Sequence, residues 1–355
     1  MTRLLAAALA LVAGAGQAAA CAICLSAVSV TLAEQIDATD RAVLAVPDAG
    51  GVRVLAVVKG DGVPGAVIPA DALVPAPPMP EAGRALLLLH NAFADTWKPV
   101  GAVRPENAGW LRAIAGAPPL EGDAEHTVAA GPALDARLAL AAPRFEDADG
   151  VVAEIAGDQV ARAPYAALAP FAATLDPATL RAFVAAPGTG ARRPSYILLL
   201  GLAGSGGDAA TIDDRLAIGR RRQDATDLAA LLAADMELRG PGRLPWVETT
   251  YLNDRRRALP EVEAALAALQ VQGEAGVTIP RAAVVEVFRR FIRARPAMAG
   301  FVAPELIHWQ AWAATPDYAA LVEAGVVTDP AEEFAILAYL RQSPDPAAKA
   351  ALADD

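Results

Sequence analysis

Two cysteines, three histidines and three knots of arginine are the residues of this 355-residue chain whose types and spacing could do chemistry. Cys21 and Cys24 form a Cys-x-x-Cys pair with four open readings. A disulfide, or a pair of quiet thiols, would mark the start of the chain, although so short a loop gains little closure entropy. A redox pair lies at the N-terminus of a helix that follows a strand, where the thiol pKa falls; no strand precedes Cys21. A haem or metal site needs further ligands. Leu25 stands where c-type haem attachment requires histidine, and no second pair follows at zinc spacing. Lipid attachment at Cys21 is the fourth reading, with Ala18 where a lipobox carries a larger aliphatic residue. The context favours the disulfide or quiet thiols over the other three.

The remaining candidates are weaker. His90, His126 and His308 include no i, i+4 pair of the kind that holds a metal on a helix. Gly201 to Gly207 follows an apolar run, but Gly207 occupies the place of the P-loop lysine, so the segment reads as a glycine-rich turn. No Gly-x-Ser-x-Gly elbow is present. No catalytic residue, metal or cofactor is called for. Arg220, Arg221 and Arg222, then Arg255, Arg256 and Arg257, then Arg289, Arg290 and Arg293 with Arg295, concentrate positive charge in an acidic chain. On stacked helices these knots could align into a basic ridge for an acidic partner or an anionic surface. The competing reading carries more weight: arginine stems cover helix ends, and Arg290 follows Glu286 at a favourable helical spacing.

The segment before the cysteines sets the compartment. Arg3, the apolar run Leu4 to Val12 and the small residues Ala18-Ala19-Ala20 have the form of a secretory signal peptide over residues 1–20, cleaved near Ala20. The expected mature chain is periplasmic or secreted. Hydrophobic residues make up 55% of the sequence, but much of this is alanine. No apolar run after the leader reaches the ~20 residues of a spanning helix, so a soluble mature chain without a transmembrane segment is expected. The net charge of −11 argues against nucleic acid as a partner. Two cysteines cannot make a disulfide-rich scaffold, so the fold must rest on ordinary hydrophobic cores.

Two textures must position these residues. Arg41 to Val46, Val52 to Val58 and Arg84 to His90 read as strands cut by turn residues such as Pro47-Asp48-Ala49-Gly50-Gly51. Ser26 to Gln35 reads as a short helix or a first strand. Residues 21–125 are therefore expected to form a small β-barrel or sandwich. From 126 to 345 the pattern is helical, with Val151 to Phe171, Leu244 to Leu252 and Pro280 to Ala294 among the expected helices. Asp176-Pro177 and Asp329-Pro330 signal helix starts. About ten short helices on short loops fit stacked hairpins of irregular period. Residues 346–355 read as a tail.

Thr174 to Val184 and Ser195 to Gly204 carry a resemblance to HEAT-like α-helical repeat proteins, and more closely to exported bacterial proteins that contain such repeats. This likeness spans roughly Asp135 to Leu340 and implies an α-solenoid. The Cys-x-x-Cys start, Ala38 to Ala45 and Val57-Val58-Lys59-Gly60 together resemble netrin-type domains, which implies an OB-like barrel. In the inhibitory members of that family the N-terminal cysteine reaches a metalloprotease's metal, a role only Cys21 could take here. The expectation is thus an exported, non-catalytic binding or scaffold protein, an OB-like β domain followed by a HEAT-like solenoid, that presents its repeats to a protein or cell-envelope ligand. A thiol redox or metal-handling protein that uses Cys21 and Cys24, and a netrin-like metalloprotease inhibitor, are the alternatives.

Overall fold

The computed structural model describes residues 30–120, 128, 130–186, 190 and 192–353. They fall into two compact units. One runs to Leu175 and includes Gly190–Ser195; the other begins at Asp176 and resumes at Tyr196.

The first unit opens with helix α1, Leu32–Ala38. Thr31 Oγ1 accepts the Glu34 N–H at 3.2 Å, and Glu34 Oε2 accepts the Thr31 N–H at 2.8 Å, a closed capping box. Five strands follow: β1 Ala42–Asp48, β2 Gly51–Lys59, β3 Val67–Pro69, β4 Ala85–Asn91 and β5 Thr96–Val103. They pair antiparallel in the order β3-β2-β1-β4-β5 and curl into a half-barrel. Past β3, Leu73 bridges Trp97 of β5 in parallel, and the Val74 N–H donates to the Trp97 carbonyl at 2.9 Å. The chain leaving one edge of the sheet thus reaches the other edge.

Burial follows the sequence pattern strand by strand. On β2, Val52 and Val54 are buried while Arg53 and Leu55 face out, the alternation of a strand with one wet face. β1 and β4 are continuous apolar runs and are buried on both faces. Ala42, Leu44, Leu87 and Leu89 face one core. Val43, Ala45, Leu86 and Leu88 face the inside of the curl. The outer core is completed by α1 and by α2 Ala108–Ala115 and α4 Gly150–Arg162, through Ile36, Leu111, Ile114 and Ile155. Pairing of Ala42 with Leu89 through Ala45 with Leu86 fixes the register; a slip by one residue would exchange the two cores. Gly51 is required where β2 meets β3, because a Cβ there would lie 2.0 Å from the Ile68 carbonyl oxygen.

A buried ionic clamp ties three helices together. Arg137, on α3 (Pro132–Ala141) and 1% exposed, donates to both carboxylate oxygens of Asp37 on α1, at 2.9 and 3.1 Å. Arg162 on α4 adds a third bond to Asp37 at 3.3 Å. The single helix expected over Val151 to Phe171 is broken. Pro164 forces Ala163 into extended backbone (φ −73°, ψ 139°), and a short helix α5, Leu168–Ala172, follows.

The rest is mostly helical: α6 Pro177–Ala185, α7 Arg193–Ala203, α8 Asp208–Arg222, α9 Leu228–Arg239, α10 Leu244–Val247, α11 Leu259–Ala275, α12 Arg281–Ala294, α13 Ala303–His308, α14 Thr315–Glu323, α15 Pro330–Gln342 and α16 Pro346–Ala351. Packing in the second unit runs largely from one helix to the next: α8 on α9, α9 on α11, α11 on α12, α12 on α14, and α14 on α15 and α16. A curled antiparallel sheet followed by a mostly helical remainder is the arrangement the two sequence textures imply. No helix among the described residues is long and apolar enough to cross a membrane.

Candidate functional site

A grouping of chemically capable side chains lies at one end of the half-barrel. Leu86 and Leu88 point into the curl, and His90, two residues on, continues that line. Its ring packs on Trp97 of β5 at 4.9 Å between centroids. Arg41, just before β1, lays its guanidinium 5.4 Å from the Trp97 ring and against the imidazole, Nη2 being 3.0 Å from Nδ1. Two carboxylates flank the histidine: Asp40 Oδ1 is 2.9 Å from Nδ1, and Asp95 Oδ1 is 3.0 Å from Nε2. Asp95 takes a left-handed conformation (φ 48°) in the β4–β5 turn, which turns the chain back toward β5.

The hydrogen-bond inventory defines what this cluster can do. A neutral imidazole donates one N–H and so satisfies only one of the two carboxylates; the imidazolium donates to both. The hydrogen bond from His90 holds the Asp40 carboxyl below the ordinary carboxylate range, helped by the histidine's charge. Thr39 Oγ1 lies 2.9 and 2.8 Å from the carbonyls of Arg41 and His90, so its hydroxyl braces backbone. The two ring nitrogens face different carboxylates, so the three groups do not converge on one ion. Among the described residues no group of three or more His, Cys, Asp or Glu side chains is placed to hold a metal. The polar groups are bound to one another.

Thr39, Asp40 and His90 of this cluster form the polar floor of a cavity of about 560 Å³. Lys98 reaches across its wall to Gln35 Oε1 at 2.7 Å. Its rim is apolar and open: Phe93 is fully exposed, with Val30 and Val74 more than half exposed. A second cavity of about 540 Å³ lies between the Pro75–Pro80 loop and β5, with Met79, Leu86 and Pro99 in its walls.

The sequence candidates meet different fates. Cys21, Cys24 and His126 lie outside the described residues. His308, at the end of α13, pairs with Glu274 at 3.5 Å beside Trp309, whose indole N–H donates to the same carboxylate. The expected glycine turn is only partly one: Gly201 to Ala203 close α7, where Gly201 permits close approach to Ala234 of α9, and Gly204 to Gly207 turn into α8, with the Ser205 N–H donating to Asp208 Oδ2 at 2.8 Å. Among the described residues, five of the ten knot arginines are ion-paired. Arg256 binds Asp254, Arg257 binds Glu261, Arg290 binds Glu248, and Arg289 and Arg293 share Asp317. Arg255 donates to the Ala294 carbonyl. Arg221 and Arg222 are exposed on the last turn of α8, and Arg220 lies against Trp246.

Sequence reasoning left the barrel-end cluster unassembled. The available signal was a polar residue at the end of each of two otherwise apolar inward-facing lines, Arg41-x-Val43-x-Ala45 and Leu86-x-Leu88-x-His90. No family model, curated protein or solved structure matches this chain.

Proposed function

We propose that the chain is an exported, non-catalytic binding protein whose OB-like β unit engages an envelope protein through the open end of its half-barrel. The observation that carries this reading is the contrast between floor and rim. The floor's polar groups satisfy one another, whereas the rim presents Phe93, Val30 and Val74 to solvent. Exposed large apolar residues gathered round a cavity mark contact surfaces, and an aromatic anchor is what protein interfaces favour. The strand circuit supports the OB-like description. β1, β2 and β3 follow in order, Leu73 and Val74 lie against β5, and β5 returns through β4 to β1, as in a partly open five-stranded barrel. Helix-to-next-helix packing supports HEAT-like stacking in the second unit, where such stacks serve as binding scaffolds.

A photo-reactive phenylalanine at position 93 tests the binding surface in cells that export the protein. A defined adduct from position 93, and none from a probe at Val63, also exposed in this unit, is the expected result. Equal labelling at both positions, or none at 93, would overturn the reading.

A further inference from the structure

Members of two of the three arginine knots gather round one short stretch, Glu248 to Asp254, and Arg220 of the third lies against Trp246 just before it. Arg290 binds Glu248, Arg257 donates to the Thr250 carbonyl, Arg295 donates to the carbonyls of Leu252 and Asp254, and Arg256 binds Asp254. Here α10 runs into a single π-helical turn, Glu248–Leu252, closed by the Asn253 N–H on the Glu248 carbonyl at 2.9 Å. Such widened turns recur at functional sites because they re-aim side chains. This one carries Tyr251, fully buried and edge-on to Trp246 at 5.7 Å.

Three guanidiniums surround that aromatic pair. Arg243 lies 3.6 Å and Arg220 5.4 Å from the Trp246 ring centroid, and Arg257 lies 5.2 Å from the Tyr251 ring. Arg243 is neutralised by Asp235 and Asp213, and Arg257 by Glu261 with Asp254 nearby. Arg220 has no carboxylate partner among the described residues, and its buried Nε has no hydrogen-bond acceptor. The Tyr251 hydroxyl is buried and unpartnered as well. Burial pushes that hydroxyl up to about 12, against the pull of the Arg220 and Arg257 charges, so near neutral pH it remains an O–H donor. Cation–helix attraction accounts for Arg221 and Arg222, which are exposed at the negative end of α8. It does not account for a buried nitrogen and a buried hydroxyl that both lack an acceptor.

We propose that Arg220, Tyr251 and Arg257 form a binding site for a small phosphate-class oxyanion, with Arg220 and Tyr251 as its donors and Arg257 supplying field. The Arg220 charge acts on the Tyr251 hydroxyl, so an anion bound between them would give an acceptor to each unpartnered group, and charge-assisted bonds of this kind are the strong ones. It also supplies the counter-charge that Arg220 lacks, while Arg221 and Arg222 make the approach positive. The site lies in the helical unit and does not depend on the barrel-end surface.

Inorganic phosphate, titrated calorimetrically into the full mature protein at low ionic strength, is the test. Saturable binding with one ion per chain is expected. Tyr251→Phe and Arg220→Gln should each weaken it by about tenfold or more, the scale of one hydrogen bond to a charged group. The pair Arg221→Gln and Arg222→Gln should leave it within about twofold, since a screened surface charge contributes little. Tyr251→Phe deletes only an unpartnered hydroxyl, so it keeps its fold and its melting temperature without phosphate and isolates the binding effect. Non-saturable heats, or equal losses from the surface pair and from Tyr251→Phe, would overturn the proposal.

Discussion

Asp158 on α4 accepts the Ala33 N–H from the start of α1 at 3.0 Å. Burial pushes its carboxyl up to about 7; that hydrogen bond and Arg162 oppose the shift, and Glu154 and Glu34 reinforce it. Because the folded state holds this proton more tightly than the unfolded chain, stability falls as pH rises from about 4 to about 7 and is level above that. Asp158→Asn keeps an acceptor for Ala33 and removes the charge. The variant should gain stability over the parent progressively across that window, with the full difference retained above it, as read from urea midpoints. Parallel pH profiles would contradict this account. The carboxylate of Asp37 is shared by Arg137 and Arg162. Asp37→Ala leaves Arg137 and Arg162 buried without their shared carboxylate, and should cost about 3–5 kcal/mol in the same urea assay.

Local sequence is most decisive where an element begins. Asp176 accepts the N–H groups of Ala178 and Thr179 at 3.1 and 3.2 Å, and Asp329 those of Ala331 and Glu332 at 2.8 and 3.3 Å, each just before a proline at the first helical position. Asp329→Ala should therefore destabilise α15 by about 1 kcal/mol, measurable by thermal unfolding. Both starts were legible from the Asp-Pro dipeptides, and β1, β2 and β4 from their valine and leucine runs. β5 was not, since Lys98, Pro99 and Gly101 interrupt any strand pattern, and its place comes from pairing with β4. The barrel-end cluster was hidden for a related reason. Arg41 meets His90 only because Ala42 pairs with Leu89, and Trp97 meets His90 only through the β4–β5 register. Register is a property of the assembled sheet, absent from any one strand's local pattern.

At the scale of the whole molecule the leader and the binding reading support one another. On the proposed reading, in which residues 1–20 direct export, the chain would work among envelope proteins, the exposed aromatic rim would meet its partner outside the cytosol, and the Cys-x-x-Cys pair would be exposed to oxidants. Intact mass of the protein recovered from an exporting bacterium tests this directly. Loss of residues 1–20 is expected, leaving Cys21 as the first residue, with a mass lighter than the dithiol form by the two hydrogens lost on bridging Cys21 to Cys24. A retained leader would remove the exported reading and with it the envelope partner. An added acyl mass on Cys21 would instead tether the chain to a membrane. A free pair that reacts at once with a thiol reagent would return weight to the redox alternative, because a low-potential structural bridge resists reduction by ordinary thiol pools.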